Sequence, residues 1–107
     1  MDKKMKNTTI DFEFCDGTTA KLTLQFYALY QLKSKNLALY NRYNKAMNSS
    51  ASGNVDELDM ITILYAAYMC ANMDAENILT EEEFMILCGS DRVAVGQAVA
   101  RLTNPKK

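Results

Sequence analysis

Apolar and polar residues alternate with a period of two near the start of the chain, in the stretches 10–14 and 20–24. This alternation is typical of half-buried β-strands, so we expect residues 8–25 to form a β-hairpin with one apolar face. A three-residue turn at Cys15-Asp16-Gly17, with Gly17 in the left-handed region, aligns the apolar positions of both strands. A two-residue turn at Asp16-Gly17 would instead mix the two faces. The predicted register is Ile10 with Leu22, Asp11 with Lys21 and Phe12 with Ala20.

From residue 26 onward the apolar positions recur at helical spacing. The range 26–47 predicts a helix, in which Ser34, Lys35 and Asn36 interrupt the apolar stripe and mark either a bend or a break into two short helices. The range 48–54 contains only small and polar residues. It therefore predicts a flexible surface loop that separates two packing units.

The range 55–102 predicts three more helices, followed by a tail at 103–107. The central helix is apolar nearly all round, so it must be covered on more than one side. Thr80 and Glu83 fit a capping box at the start of the following helix. The expected helix boundaries and caps are 55–71 with Asn54 as N-cap, a helix from Thr80 to Gly89, and 91–102 with Ser90 as N-cap.

Length and composition indicate one small folded domain, because the chain has 107 residues, of which 49% are hydrophobic and 23% charged. The pattern of elements predicts an α+β fold that is mostly α, with the N-terminal β-hairpin packed on a bundle of about four helices. A formal net charge of −1 gives no electrostatic reason to expect nucleic acid as a partner. The lysines at 3, 4 and 6 are interpreted as a solvated tail.

The longest apolar run, 60–71, is about twelve residues where a membrane span needs about 20, so no membrane partner is expected. Cys15, Cys70 and Cys88 have no metal-binding spacing. An odd number of cysteines without a signal peptide predicts free thiols in a reducing compartment, the cytoplasm.

The chain contains no histidine, which removes the commonest general base and transition-metal ligand. No nucleophile elbow, phosphate-binding loop or paired-cysteine motif is present. We therefore expect no enzymatic activity, no catalytic residue and no cofactor. A single EF-hand-like calcium-binding module remains an alternative, because Asn72, Asp74, Glu76 and Glu83 approximate the ligand spacing of a calcium loop. We expect no metal, because Asn replaces the first Asp and the turn glycine of that loop, and the capping box explains Glu83 more simply.

The excess of apolar residues on the central helix predicts a docking surface if the other helices do not cover it. The candidate partner-binding residues are the apolar side chains that a lone domain can least easily hide. A second copy of the chain is a further candidate partner, and a self-associating helical protein of unrelated role is the second alternative. The five candidates are Tyr40, Tyr43, Tyr65, Tyr68 and Met69.

The order and spacing of four segments, from Thr8 to about Thr103, resemble a known family. The segments are the hairpin TIDFEFCDGTTAKLTL, the helix FYALYQL, the central helix DELDMITILYAAYMCA, and LTEEEF, which is the acidic beginning of the next helix and precedes a short terminal helix. This layout is similar to that of the small tail assembly chaperones of long-tailed, siphovirus-like phages and prophages. The resemblance implies a protein without catalytic residues that binds the tape measure protein and helps to recruit tail tube subunits during tail morphogenesis. It also implies a location in the host bacterial cytoplasm and absence from the mature virion.

Overall fold

The computed structural model describes residues 9–103, which form a two-stranded antiparallel hairpin followed by five helices. The predicted class, mostly α with a small β part at the N-terminus, is confirmed. The lysines at 3, 4 and 6, the expected first hairpin residue Thr8 and residues 104–107 lie outside the described range. The elements are β1 (Ile10–Glu13), β2 (Thr19–Leu22), α1 (Phe26–Lys35), α2 (Leu37–Ser52), α3 (Glu57–Ala71), α4 (Glu81–Cys88) and α5 (Arg92–Thr103).

The hairpin has the predicted register and turn. Gly17 has a φ of 89°, in the left-handed region that a glycine adopts without steric cost. The backbone N–H of Phe14 donates to the carbonyl oxygen of Thr18 at 2.7 Å, which closes the three-residue turn. All three predicted pairs are confirmed, namely Ile10 with Leu22, Asp11 with Lys21 and Phe12 with Ala20.

The range predicted as one helix, 26–47, is divided at Asn36, so the structure favours a break over a bend. Asn36 has a non-helical backbone, with φ of −149° and ψ of 75°. Its side-chain oxygen accepts a hydrogen bond from the N–H of Leu39 at 3.2 Å. Asn36 thereby ends α1 and caps the N-terminus of α2.

The prediction of a flexible loop at 48–54 is wrong for most of these residues, because α2 continues to Ser52. The helix ends where Gly53 adopts a φ of 84°, and the N–H of Gly53 donates back to the carbonyl oxygen of Ser50. Small polar residues are poor helix formers, but α2 packs on α3 and buries Leu39, Tyr43 and Ala46. Tertiary packing therefore overrides local composition here.

Two predicted N-caps are displaced to neighbouring aspartates. Asp56, not Asn54, caps α3, and its carboxylate accepts from the N–H of Asp59 at 2.8 Å. At α5, the carboxylate of Asp91 rather than the side chain of Ser90 accepts from the N–H of the third residue of the helix, at 3.0 Å. In both cases a carboxylate supplies charge as well as an acceptor at the positive end of the helix dipole.

Helix α3 lies at the centre of the domain, in contact with β2 and with all four other helices. This coverage explains why a helix that is apolar nearly all round is stable in water. Phe84 of α4 is fully buried against α3 and the hairpin. The buried residues of α3 are Ile61, Ile63, Leu64, Tyr65, Ala66, Ala67, Tyr68 and Cys70.

Candidate interaction surface

Three of the five predicted partner-binding residues belong to the core. Tyr43, Tyr65 and Tyr68 are buried, whereas Tyr40 and Met69 are half-buried. The idea that the domain has no room for these side chains is therefore wrong for the three buried tyrosines. Their rings are part of the hydrophobic core, and the hydroxyl groups of Tyr65 and Tyr68 have hydrogen-bond partners.

The hydroxyl groups of Tyr65 and Tyr68 hold the segment that leads into α4. The hydroxyl of Tyr65 donates to the carbonyl oxygen of Leu79 at 2.8 Å. The N–H of Leu79 donates to the hydroxyl oxygen of Tyr68 at 2.9 Å. Burial, with a smaller contribution from Glu81, raises the pKa of Tyr65 above its ordinary value. These tyrosines therefore act as structural clamps.

The residues of the calcium-loop alternative are not arranged around a common point. The side-chain amide of Asn72 donates to two backbone carbonyl oxygens, at 3.2 and 2.8 Å. The carboxylate of Glu83 accepts from the N–H of Thr80 at 2.9 Å and the Thr80 hydroxyl accepts from the N–H of Glu83 at 3.1 Å, which confirms the predicted capping box. Asp74 and Glu76 are exposed. Between residues 9 and 103, no group of three or more His, Cys, Asp or Glu side chains is placed to hold a metal ion.

An apolar groove of about 260 Å³ opens between the start of α3, the end of α4 and the start of α5. We call it the α3–α5 groove. Leu58, which is 63% exposed, and the half-exposed Met85 stand at its mouth. Glu57 and Arg92 form an ion pair at its edge. Its apolar lining consists of Leu58, Met60, Ile61, Met85, Cys88 and Val95.

Two further apolar side chains are exposed on the helices that form this groove. Ile86 on α4 and Val93 on α5 are each 68% exposed, and each lies next to a residue that lines the groove. Single exposed apolar residues are normal on protein surfaces, but several on three adjoining elements indicate a contact site. The α3–α5 groove is therefore the first candidate interaction surface.

A second apolar surface lies on α1 and is aromatic. Phe26, Tyr27 and Tyr30 are 89%, 69% and 65% exposed. The rings of Tyr27 and Tyr30 stack with 6.1 Å between their centroids. Leu37, at the start of α2, is also exposed. We call these four residues the α1 face.

Sequence reasoning missed the α1 face because it left open whether the interruption at Ser34, Lys35 and Asn36 was a bend in one helix or a break into two. The break at Asn36 separates the two stripes, and only Leu32 of α1 is fully buried. The aromatic side chains at 26, 27 and 30 therefore do not contribute to the buried core. The polar interruption at 34–36 is the feature of the sequence from which this separation could have been predicted.

The two surfaces lie in parts of the chain with opposite charge. Between Asp16 and Asp56 the sequence has no acidic residue and five basic ones, of which Lys33 and Lys35 lie in the last turn of α1. From Asp56 to Thr103 it has nine acidic and two basic residues. Lys33 and Lys35 therefore lie close in sequence to the α1 face, whereas the charged residues that line the α3–α5 groove are Glu57, Asp91 and Arg92, of which Arg92 pairs with Glu57.

Comparison of the chain with protein-family models, with curated proteins and with solved structures finds no match in any of the three. Among the helices that the structure describes, none is long and apolar enough to cross a membrane. Function must therefore be inferred from the surfaces and from the layout of the elements.

Proposed function

We propose that this protein is a non-enzymatic tail assembly chaperone, which binds a phage tape measure protein and helps to recruit tail tube subunits during tail morphogenesis. It would act in the host bacterial cytoplasm and be absent from the mature virion. The observation that carries the proposal is the α3–α5 groove with its uncovered apolar side chains. The identity of the partner comes from the resemblance to tail assembly chaperones in the order of the hairpin, the central helix and the acidic beginning of the helix that follows it.

The groove has the chemistry required to shield an apolar segment of another polypeptide. Covering apolar surface is favourable by about 25 cal/mol per Å² removed from water, so exposed side chains such as Leu58 favour a bound partner. A cleft between helices accepts the apolar face of an amphipathic helix. Met60 and Met85 line this cleft. Their flexible side chains can adapt to segments of different sequence, as binding along a long polypeptide requires.

Co-expression with a tape measure fragment that aggregates alone tests the proposal. The wild-type chain should keep the fragment soluble, and a groove variant carrying Leu58→Ser and Met85→Ser should not. Tyr27→Ser is the matched control, because Tyr27 is 69% exposed but lies outside the groove. All variants must first show the thermal unfolding midpoint of the wild type.

Continued precipitation of the fragment with the wild-type chain would overturn the proposed function. Equal protection by the wild type and by the groove variant would remove the groove as the client site. Gene context offers an independent test. A long tape measure gene immediately downstream supports the proposal, whereas a metabolic operon contradicts it.

A further inference from the structure

We propose that Cys15 and Cys88 are a redox-active pair, which a small-molecule disulfide such as oxidised glutathione converts into an intramolecular disulfide that joins the hairpin turn to the end of α4. All three cysteines of the chain are free thiols in the structure. The inference rests on the positions of the two residues. It does not depend on the proposed function, because no client protein takes part.

A backbone hydrogen bond holds the two cysteines close together. The N–H of Cys15 donates to the carbonyl oxygen of Leu87 at 2.9 Å. That carbonyl belongs to the peptide group that joins Leu87 to Cys88, so standard bond lengths place the Cα atoms of Cys15 and Cys88 at most about 7 Å apart. Disulfides span Cα separations of about 4.4–6.8 Å. At most a small shift is therefore needed to bridge the pair.

The side chain of Cys15 lies over the backbone at the end of α4. Its thiol donates a weak hydrogen bond to the carbonyl oxygen of Ile86, with 3.9 Å between the sulfur and the oxygen. A Cβ atom added at Gly89 would stand 3.3 Å from the Cβ of Cys15 and 3.5 Å from its sulfur. Cys15 thus contacts the chain on both sides of Cys88, and the missing side chain at Gly89 leaves room for the thiol.

The two thiols also share a cavity, which the third cysteine does not. Cys15 and Cys88 both line a cavity of about 460 Å³ between the hairpin and α5. Burial, with a smaller contribution from the Cys15 thiol, raises the pKa of Cys88. Cys70 is not among the residues that line this cavity, and burial alone raises its pKa. The geometry therefore pairs Cys15 with Cys88 rather than with Cys70.

The bond forms by two thiol–disulfide exchange steps. Cys15 is exposed, so its thiolate attacks one sulfur of oxidised glutathione and displaces the first glutathione thiolate. Cys88, which is 4% exposed, then attacks the Cys15 sulfur as a thiolate and displaces the second. Each cysteine gives up one proton, which a glutathione thiolate takes up. Two protein thiols are thereby oxidised, and one molecule of oxidised glutathione is reduced to two thiols.

The position of the bond indicates what it does. Cys88 is the last residue of α4 and also lines the α3–α5 groove. The disulfide would therefore fix the hairpin turn to the helices at a point that adjoins the groove. Disulfides in reducing compartments are usually transient and redox-sensing, so we infer that the pair responds to oxidation by stabilising this contact.

Equilibration of the full chain with mixtures of reduced and oxidised glutathione tests the proposal. Intact mass and peptide mapping should show a chain lighter by two hydrogen atoms, with Cys15 joined to Cys88. The equilibrium constant for forming the bond should be at least about tenfold higher in the native protein than in about 8 M urea, because only the fold holds the two residues together. By reciprocity the disulfide stabilises the native state by the same factor, so the oxidised protein should have a higher urea midpoint than the reduced protein.

Two variants serve as controls for the assignment. Cys15→Ser, at an exposed position, should form no intramolecular disulfide, whereas Cys70→Ala should form the same bond as the wild type. An intramolecular disulfide that persists in Cys15→Ser would overturn the proposal.

Three results with the wild type would also overturn it. The first is an equilibrium constant in the native protein that is equal to or below the constant in urea. The second is a lasting mixed disulfide of Cys15 with glutathione, since Cys88 would then be out of reach. The third is a disulfide between the Cys15 residues of two chains in place of the internal bond.

Discussion

The ring of Phe14 stands perpendicular to the ring of Phe84, with 5.4 Å between their centroids. Phe14 directly follows β1 and Phe84 belongs to α4, so this contact attaches the hairpin to the helices. The rings of Phe12, Tyr65 and Tyr68 also contact Phe84, at centroid distances between 5.3 and 6.4 Å. A two-stranded hairpin is marginal in water, so its stability depends on this aromatic cluster.

Phe84→Ala should lower the free energy of unfolding by about 3–5 kcal/mol, because it empties the centre of the aromatic cluster. Phe26→Ala removes the same atoms from a side chain that is 89% exposed. It should change the free energy of unfolding by no more than about 0.5 kcal/mol. Urea unfolding followed by circular dichroism compares them, and similar losses in the two variants would contradict the observed packing.

Tyr68→Phe should destabilise the protein by about 1–3 kcal/mol, because it leaves the N–H of Leu79 without its acceptor. The effect should concentrate at the start of α4, where the amide of Leu79 should exchange its hydrogen faster than in the wild type. Tyr30→Phe is the control, since Tyr30 is exposed. Hydrogen exchange at Leu79 that is equal in Tyr68→Phe and the wild type would show that the clamp is not formed in solution.

Gly17→Val should cost more stability than Asp16→Ala. A β-branched residue at a φ of 89° is strained by about 1–3 kcal/mol whatever space surrounds it. Asp16 accepts hydrogen bonds from the N–H and the hydroxyl of Thr18, at 3.0 and 2.7 Å, but these bonds are exposed to water. Equal shifts of the denaturation midpoint in the two variants would reject the three-residue turn.

Stability should decline at alkaline pH because of the buried thiols. Burial raises the pKa of Cys70 from 9.0 to about 12. Burial and the neighbouring Cys15 thiol raise that of Cys88 to about 11. Above pH 9.0 the unfolded chain releases thiol protons that the folded chain retains. The contribution of the buried thiols to the free energy of unfolding is therefore fully present below pH 9.0 and is lost as the pH rises toward 12. Cys70→Ala should make this decline shallower, and a profile that stays flat across the range would refute the shift.

Calcium should bind weakly or not at all. Asn72 directs its amide N–H groups toward backbone carbonyls, and Glu83 is held by the N–H of Thr80. Binding would have to break the capping box, whose loss costs about 0.5–2 kcal/mol. Calorimetric titration should give no heat at micromolar calcium, and Glu83→Gln, which can still accept that hydrogen bond, should behave as the wild type. Micromolar uptake that Glu83→Gln abolishes would restore the calcium-module alternative.

Several features that depend on neighbours within a turn or two were predictable, although the predicted N-caps of α3 and α5 were wrong. The alternation in β1 and β2 allowed only one turn length that kept Phe12 opposite Ala20, because a slip of one residue reverses every side chain. The capping box at Thr80 was predictable for the same reason, since both partners lie within four residues. The buried residues of α5, which are Val95, Ala98, Val99 and Leu102, follow the helical period.

Burial is a different kind of property, because it depends on which elements meet. Tyr65 and Phe26 are both aromatic residues in helices, yet Tyr65 is 8% exposed in the crowded centre and Phe26 is 89% exposed on an outer helix. Helix α2 likewise packs on α3 and continues to Ser52, although its small polar residues at 48–52 favour a loop. Adjacent residues determine local hydrogen bonding and periodicity. The distribution of apolar side chains between core and surface arises only when distant segments pack.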